Sequence, residues 1–253
     1  MFSIKYDLLN KPLELKKTHD FCASKKPKLT VVMIHGIASD STTFRNALKY
    51  LEGTKSLNDV RFVTFDLLGS GSAYKSAKLK YNYDEQLGAL NRSLKNLQID
   101  TPLVLVGHSM GTLIATRYAA THKKAVQELI LCSPPVYTEA DLDNPAFAVA
   151  IKGFKDAVSV KNKKILTDRA FNNSMEYIVM NRKNYDTLKD ITIPTTLIYG
   201  DADPIIASFN IPNLIKQNKC LTKVKTLGRH GMSRPKYTKL REILEERLDA
   251  KTL

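Results

Sequence analysis

Six short runs rich in β-branched and apolar residues recur along this chain, and helix-like stretches separate most of them. They are "LTVVMIH" from residue 29, "VRFVTFDLLG" from 60, "PLVLVG" from 102, "AVQELILCS" from 125, "IPTTLIYG" from 193 and "TKVKTL" from 222. The first of them is a β-branched run with the length of a buried strand. Strand, helix, strand in repetition calls for a mostly parallel central sheet with helices on both faces, because parallel neighbours need a crossover. The fold class read from this order is α/β.

The intervening stretches carry helix signals. "STTFRNALKYLEG" starts on Ser and Thr and can stop at Gly53. "YDEQLGALNRSLKNLQI" puts Leu87, Leu90, Leu94 and Leu97 on one face. "GTLIATRYAATH" is a further helix, and residues 205 to 218 have room for a short one. "RPKYTKLREILEERLDA" makes a C-terminal amphipathic helix with Pro235 near its first turn. The opening residues suit a hairpin around Asn10-Lys11-Pro12.

Between residues 137 and 188 the alternation breaks. Asn144 and Pro145 form a helix start, followed by Phe147, Ile151, Phe154 and Val158 at helical spacing. Phe171, Met175, Ile178 and Val179 repeat the pattern. This stretch reads as a small helical cap inserted into a core made of residues 1–136 and 189–253. It follows a strand's carboxyl end, the edge where open α/β sheets bind ligands, so a lid over that edge is expected. A chain of 253 residues fits one such domain.

Composition narrows the function classes. No window resembles a membrane span, and the first residues lack a secretory signal, so a cytoplasmic location without membrane insertion is the expectation. Cys22, Cys132 and Cys220 are sparse and without CxxC spacing, which argues against a disulfide framework and a zinc site. Cys132 reads as a small buried hydrophobe. The net charge of +14 (39 − 25) is high. Its clusters lack interleaved aromatics and any nucleic-acid motif, so no nucleic-acid partner is expected; attraction to anionic lipids or acyl carriers is the alternative use for it.

One turn stands out chemically. "LVLVGHSMGT" runs from a strand through Gly107-His108-Ser109-Met110-Gly111 into a helix. A turn this tight strains its middle residue and pushes the Ser109 hydroxyl out at the sheet edge, above the N–H groups of the next helix. A serine needs a base to act as a nucleophile. His230, in "LGRHGMSRP" between the last strand and the last helix, is placed to reach it, whereas His108 reads as packing. Asp201 and Asp203, just past the strand in "LIYGDADPII", can each orient an imidazole.

With these motifs in the order Ser, Asp, His, the sequence resembles the α/β-hydrolase fold family. "HGIASDSTTF" is similar to its oxyanion loop, "GHSMG" to its nucleophile elbow, "YGDADPII" to its acid motif and "GRHGMSRP" to its histidine loop. "FDLLGSGSA" is similar to D-x-x-G-x-G-x-S, with Ala73 in place of the usual serine. The resemblance implies Ser109 as nucleophile, His230 as base, Asp203 rather than Asp201 as orienter, and an oxyanion hole from the backbone N–H groups of Ile37 and Met110. It implies no metal and no organic cofactor. The implied function is hydrolysis of a small carboxylic ester through an acyl-enzyme. Carbon–carbon or thioester cleavage by the same residues is the alternative within the fold, and a non-catalytic ligand-binding protein is the alternative outside it.

Overall fold

The computed structural model describes residues 12–161 and 166–249. Seven strands form one sheet in the order β1-β3-β2-β4-β5-β6-β7. They are β1 (Lys16–Phe21), β2 (Leu29–Ile34), β3 (Val60–Asp66), β4 (Leu103–His108), β5 (Glu128–Cys132), β6 (Thr195–Gly200) and β7 (Leu221–Thr226). All neighbours run parallel except β1, which pairs antiparallel with β3 at one edge.

The six expected runs are the six parallel strands. The antiparallel strand β1 carries no expectation, for a physical reason: "KKTHDF" is an exposed edge strand and buries no apolar face. Charged residues on an edge strand blunt it against pairing with other chains. The turn of the expected N-terminal hairpin, at Asn10 and Lys11, lies outside the described residues.

Side chains alternate across the strands and build two apolar layers. Val32, Ile34, Leu105 and Leu129 face one layer with Leu87 and Ile114. Val31, Met33, Val104, Val106 and Ile130 face the other with Leu48, Leu240 and Leu244. The second layer is therefore covered by α1 (Arg45–Glu52) and a long C-terminal helix, and the first by α2 (Tyr83–Asn96) and α3 (Met110–Thr121). Asp40 rather than Ser41 caps the first of these stretches, because Ser41–Phe44 winds as a 3-10 turn before α1 begins.

Past β5 come α4 (Glu139–Asp143), α5 (Pro145–Lys161), α6 (Asp168–Ser174), a π-helical turn at Met175–Val179 and α7 (Asn184–Lys189). The Asn144 carboxamide oxygen accepts from the Ala146 N–H at 2.9 Å, the cap its sequence suggests. Phe171, Met175, Ile178 and Val179 are buried, whereas Phe147, Ile151, Phe154 and Val158 are half-buried against the core. After β6 the chain forms α8 (Ile211–Gln217), and after β7 it forms α9 (Arg234–Asp249).

Candidate active site

The sharp turn between β4 and α3 is built by two close backbone approaches. A side chain at Gly107 would put its Cβ 2.5 Å from Thr112 Cα, and one at Gly111 would lie 2.0 Å from the Ile34 carbonyl oxygen. Neither space admits a carbon atom, so strand β4, helix α3 and the end of β2 approach this closely only with glycine at both places. Between them Ser109 sits at φ 52°, ψ −123°, a conformation that costs a non-glycine residue about 1–3 kcal/mol. The surroundings hold it there. Ser109 N–H donates to the Cys132 carbonyl at 2.9 Å, and the Ser109 carbonyl accepts from Thr112 N–H at 2.9 Å and Thr112 Oγ1 at 2.6 Å.

The loop after β2 lies directly over this turn. A Cβ built on Gly36 would be 2.9 Å from Ser109 Cβ, so the peptide entering Ile37 passes against Ser109. His35 fixes the loop. Its Nε2 accepts from Leu67 N–H at 3.0 Å, which leaves Nδ1–H to donate to the Gly36 carbonyl at 2.8 Å. Burial pushes the His35 imidazole below its ordinary range, so it stays neutral in this tautomer. Met110 is the first residue of α3, where backbone N–H groups lack partners inside the helix.

Asp203 and His230 meet from the loops after β6 and β7. His230 Nδ1 lies 3.1 and 3.0 Å from the two Asp203 carboxylate oxygens. The Asp203 carboxylate is fully buried, whereas the imidazole remains partly exposed. Burial pushes the Asp203 carboxyl up, but hydrogen bonding and charge from His230, with the Ile205 N–H, outweigh it and hold it at about 2. Asp201 has a different role: its carboxylate accepts from Gly228 N–H at 2.9 Å and closes the turn after β7. Geometry thus separates the two aspartates that chemistry alone left open.

His108 links the serine turn to the histidine loop. Its Nε2–H donates to the His230 carbonyl at 2.9 Å, and the two rings lie 5.2 Å apart. Burial, reinforced by His230, pushes its imidazole down to about 3, so it is neutral. The structure therefore brings Ser109, Asp203 and His230 to one loop cluster at the carboxyl edge of the sheet. Asp203 and His230 are hydrogen-bonded; no hydrogen bond joins the Ser109 hydroxyl to the His230 ring among the described residues. Among those residues, no group of three or more His, Cys, Asp or Glu side chains is arranged to hold a metal ion.

Comparison with known proteins agrees with this architecture. The profile described as alpha/beta hydrolase fold matches residues 30–158, just over half of the chain. The chain belongs to the α/β-hydrolase fold family. Its curated relatives include a "Probable lysophospholipase BODYGUARD 5" of Arabidopsis thaliana, 30% identical over 138 residues. That match covers 54% of this chain and 31% of the plant protein, so the chain spans under a third of that relative's length. Among solved structures, an esterase from Exiguobacterium antarcticum superposes with a TM-score of 0.70 at 19% identity, over 98% of this chain and 100% of that one. A bromoperoxidase from Bacillus anthracis gives 0.72 at 18% identity, over 95% and 97%. At such identities these neighbours speak for the fold alone.

Two buried polar residues beside His230 carry no motif in the sequence. Ser133, in the positive-φ region at 52°, follows β5 and donates through its hydroxyl to the His230 carbonyl at 3.0 Å. Lys236, in the first turn of α9, has no solvent exposure. A readable signal existed for it: Lys236, Leu240 and Leu244 fall at i, i+4, i+8, which puts the lysine on the apolar stripe of the helix.

Among the described residues no helix is long and apolar enough to cross a membrane. Cys132 is fully buried, and burial pushes its thiol up to about 12, as suits a small hydrophobe.

Proposed function

We propose that the protein hydrolyses carboxylic esters with an apolar acyl group, through an acyl-enzyme on Ser109. The observation that carries this is the Asp203–His230 pair in loops that converge on the strained Ser109 turn. With Nδ1–H held by the Asp203 carboxylate, Nε2 of His230 carries a lone pair and can accept the Ser109 proton. The freed oxygen attacks the acyl carbonyl. The oxyanion that forms is received by the backbone N–H groups of Ile37 and Met110, at the loop lying over Ser109 and the helix terminus beneath it. His230 then gives its proton to the departing alcohol. A water molecule, deprotonated by His230, attacks the acyl-enzyme, and as the second oxyanion collapses His230 returns that proton to Ser109 Oγ, releasing the acid.

The apolar preference rests on the cleft next to this site. A cleft of about 210 Å³ opens between α5 and the residues that follow Asp203, lined by Phe147, Ile151, Phe154, Ile205, Ile206 and Phe209. Its two polar side chains are already engaged. The Tyr137 hydroxyl donates to the Ile205 carbonyl, and Asp141 accepts from the Thr138 N–H and hydroxyl and from Asn210. A cleft lined mostly by apolar side chains favours a hydrocarbon chain over a charged or polyhydroxylated group. The name of the plant relative, a probable lysophospholipase, points the same way. In this proposal helices α4 to α7 are the lid through which substrate enters.

The test is labelling with a fluorophosphonate, followed by an acyl-chain series of p-nitrophenyl esters. Label on the wild type that disappears in Ser109→Ala, with turnover favouring uncharged acyl chains, supports the proposal. Ester turnover unchanged in Ser109→Ala refutes it.

A further inference from the structure

A buried cation lies beneath the histidine loop, and it breaks two rules at once. Lys236 has no solvent exposure, and an ammonium out of water is costly unless its hydrogen bonds are met. It also sits in the first turn of α9, where the helix dipole disfavours positive charge. Burial accordingly pushes its amine below the ordinary lysine range, while the nearby Asp203 carboxylate pulls it back up. Among the described residues no carboxylate forms an ion pair with it. Two further titratable neighbours, Cys132 and His108, are kept neutral by burial.

Four oxygens offset these costs. Lys236 Nζ lies 2.6 Å from Ser133 Oγ, 2.6 Å from the Arg229 carbonyl and 3.0 Å from each of the His230 and Gly231 carbonyls, so its three N–H groups are shared among four acceptors. Three consecutive peptide carbonyls therefore turn inward onto one nitrogen. The middle one belongs to His230 and also accepts from His108 Nε2–H and the Ser133 hydroxyl. The side chain reaches them because helical Cα–Cβ bonds tilt toward the N-terminus, which here points at the loop. A helix packed only for stability would place a leucine at this position, as it does at 240 and 244.

We propose that Lys236 is a positioning residue: its ammonium gathers the carbonyls of residues 229–231 and so fixes the His230 main chain in the place from which the ring spans Asp203 and Ser109. It touches neither substrate nor reacting atoms. The inference rests on His230 acting as the base for Ser109. Under it, β4, β5 and α9 hold the backbone of His230 through His108, Ser133 and Lys236, while Asp203 holds the ring.

The test uses the full chain with Lys236→Met, which keeps the stem and removes the charge, and Lys236→Ala, which also opens a space for a small cation. In Lys236→Met, kcat for a p-nitrophenyl ester is expected to fall on the order of 10²-fold, the effect of roughly 1 Å of misplacement, with KM little changed. Ammonium or methylammonium chloride is expected to recover much of the lost kcat in Lys236→Ala, and tetramethylammonium chloride, too large for the space, to recover none. Independently of turnover, the ring nitrogens of His230, assigned by nitrogen-15 NMR against His230→Gln, should report one tautomer in the wild type and a mixture in Lys236→Met. Wild-type kcat in Lys236→Met, or an unchanged His230 ring spectrum there, overturns the proposal. Should Lys236→Met fail to fold, Lys236→Arg replaces it. That variant keeps the charge but cannot focus three carbonyls on one nitrogen, so the same loss of kcat and tautomer supports the proposal and wild-type values overturn it. A wild type that takes no fluorophosphonate and turns over no ester defeats the nucleophile assignment instead, and the ring spectra still decide the question for Lys236.

Discussion

Gly36→Ala is the sharpest perturbation of the proposed oxyanion hole that leaves every reacting side chain in place. The added carbon would lie 2.9 Å from Ser109 Cβ, 3.2 Å from the His108 carbonyl oxygen and 3.4 Å from His108 Nδ1. Carbon atoms pack at about 3.5–4.0 Å, so the loop carrying Ile37 must retreat from Ser109 by roughly 0.6–1 Å. Ser109 cannot give way instead, because its N–H and carbonyl are both held by hydrogen bonds to Cys132 and Thr112. Withdrawal of one oxyanion donor costs about 3 kcal/mol of transition-state stabilisation, on the order of 10²-fold in kcat. Overpacking at this one contact should lower stability by only about 1–3 kcal/mol. Steady-state kinetics on a p-nitrophenyl ester, run beside a thermal melt, separate the two effects. The expected outcome is a folded variant with kcat down by roughly two orders of magnitude and a smaller change in KM. A folded variant with wild-type kcat would refute the placement of Ile37 in the hole.

Three further outcomes follow from particular contacts. Asp203→Asn loses the acceptor that fixes the His230 tautomer, so kcat should fall by up to about 10⁴-fold while the protein stays folded; activity within tenfold of wild type would remove Asp203 from the mechanism. The same carboxyl is held at about 2, against about 3.9 in an unfolded chain. The unfolded state thus binds the proton more readily, and the stability this group supplies above about pH 4 is lost as pH falls toward about 2. Urea melts across that range should show a shallower acid slope in Asp203→Asn than in the wild type, and equal slopes would contradict the assignment. Arg247 bonds both carboxylate oxygens of Glu128 at 2.5 and 3.1 Å, joining the end of α9 to the start of β5. Glu128 is buried but Arg247 is nearly half exposed, so solvent screening discounts the loss, and Arg247→Met should destabilise by about 1–3 kcal/mol with no change in kcat. An unaltered melting temperature would show the pair to be idle.

The parts of this protein that were legible in its sequence are those encoded by local pattern. Strands β2, β4, β5 and β6 were readable because each is buried on both faces and mostly apolar, whereas the edge strand β7, with Thr222, Lys223 and Lys225 exposed, showed only a short run around Val224. The Ser109 turn was readable because only glycine satisfies the approaches at 107 and 111, and that demand is written in the chain itself. Strand β1 left no trace because an exposed edge strand needs main-chain partners rather than an apolar face. His35 and His108 could be noticed as residues, but their bonds to Leu67 and His230 span loops distant in sequence.

The sequence by itself determined the layered α/β architecture and the order in which serine, aspartate and histidine appear. The resemblance of "YGDADPII" already implied Asp203, but tertiary structure supplied the physical reason: both aspartates follow β6 by a few residues, and only the path of the β7 loop brings Asp203 to His230 and Asp201 to Gly228. Tertiary structure alone decided that a lysine from the last helix ends beneath the histidine loop, among carbonyls it could not have met in an unfolded chain. The physical reason is the same in both cases. Local pattern records whether a side chain prefers water or the interior, whereas a buried polar group is defined by its partners, and those come from elsewhere in the chain.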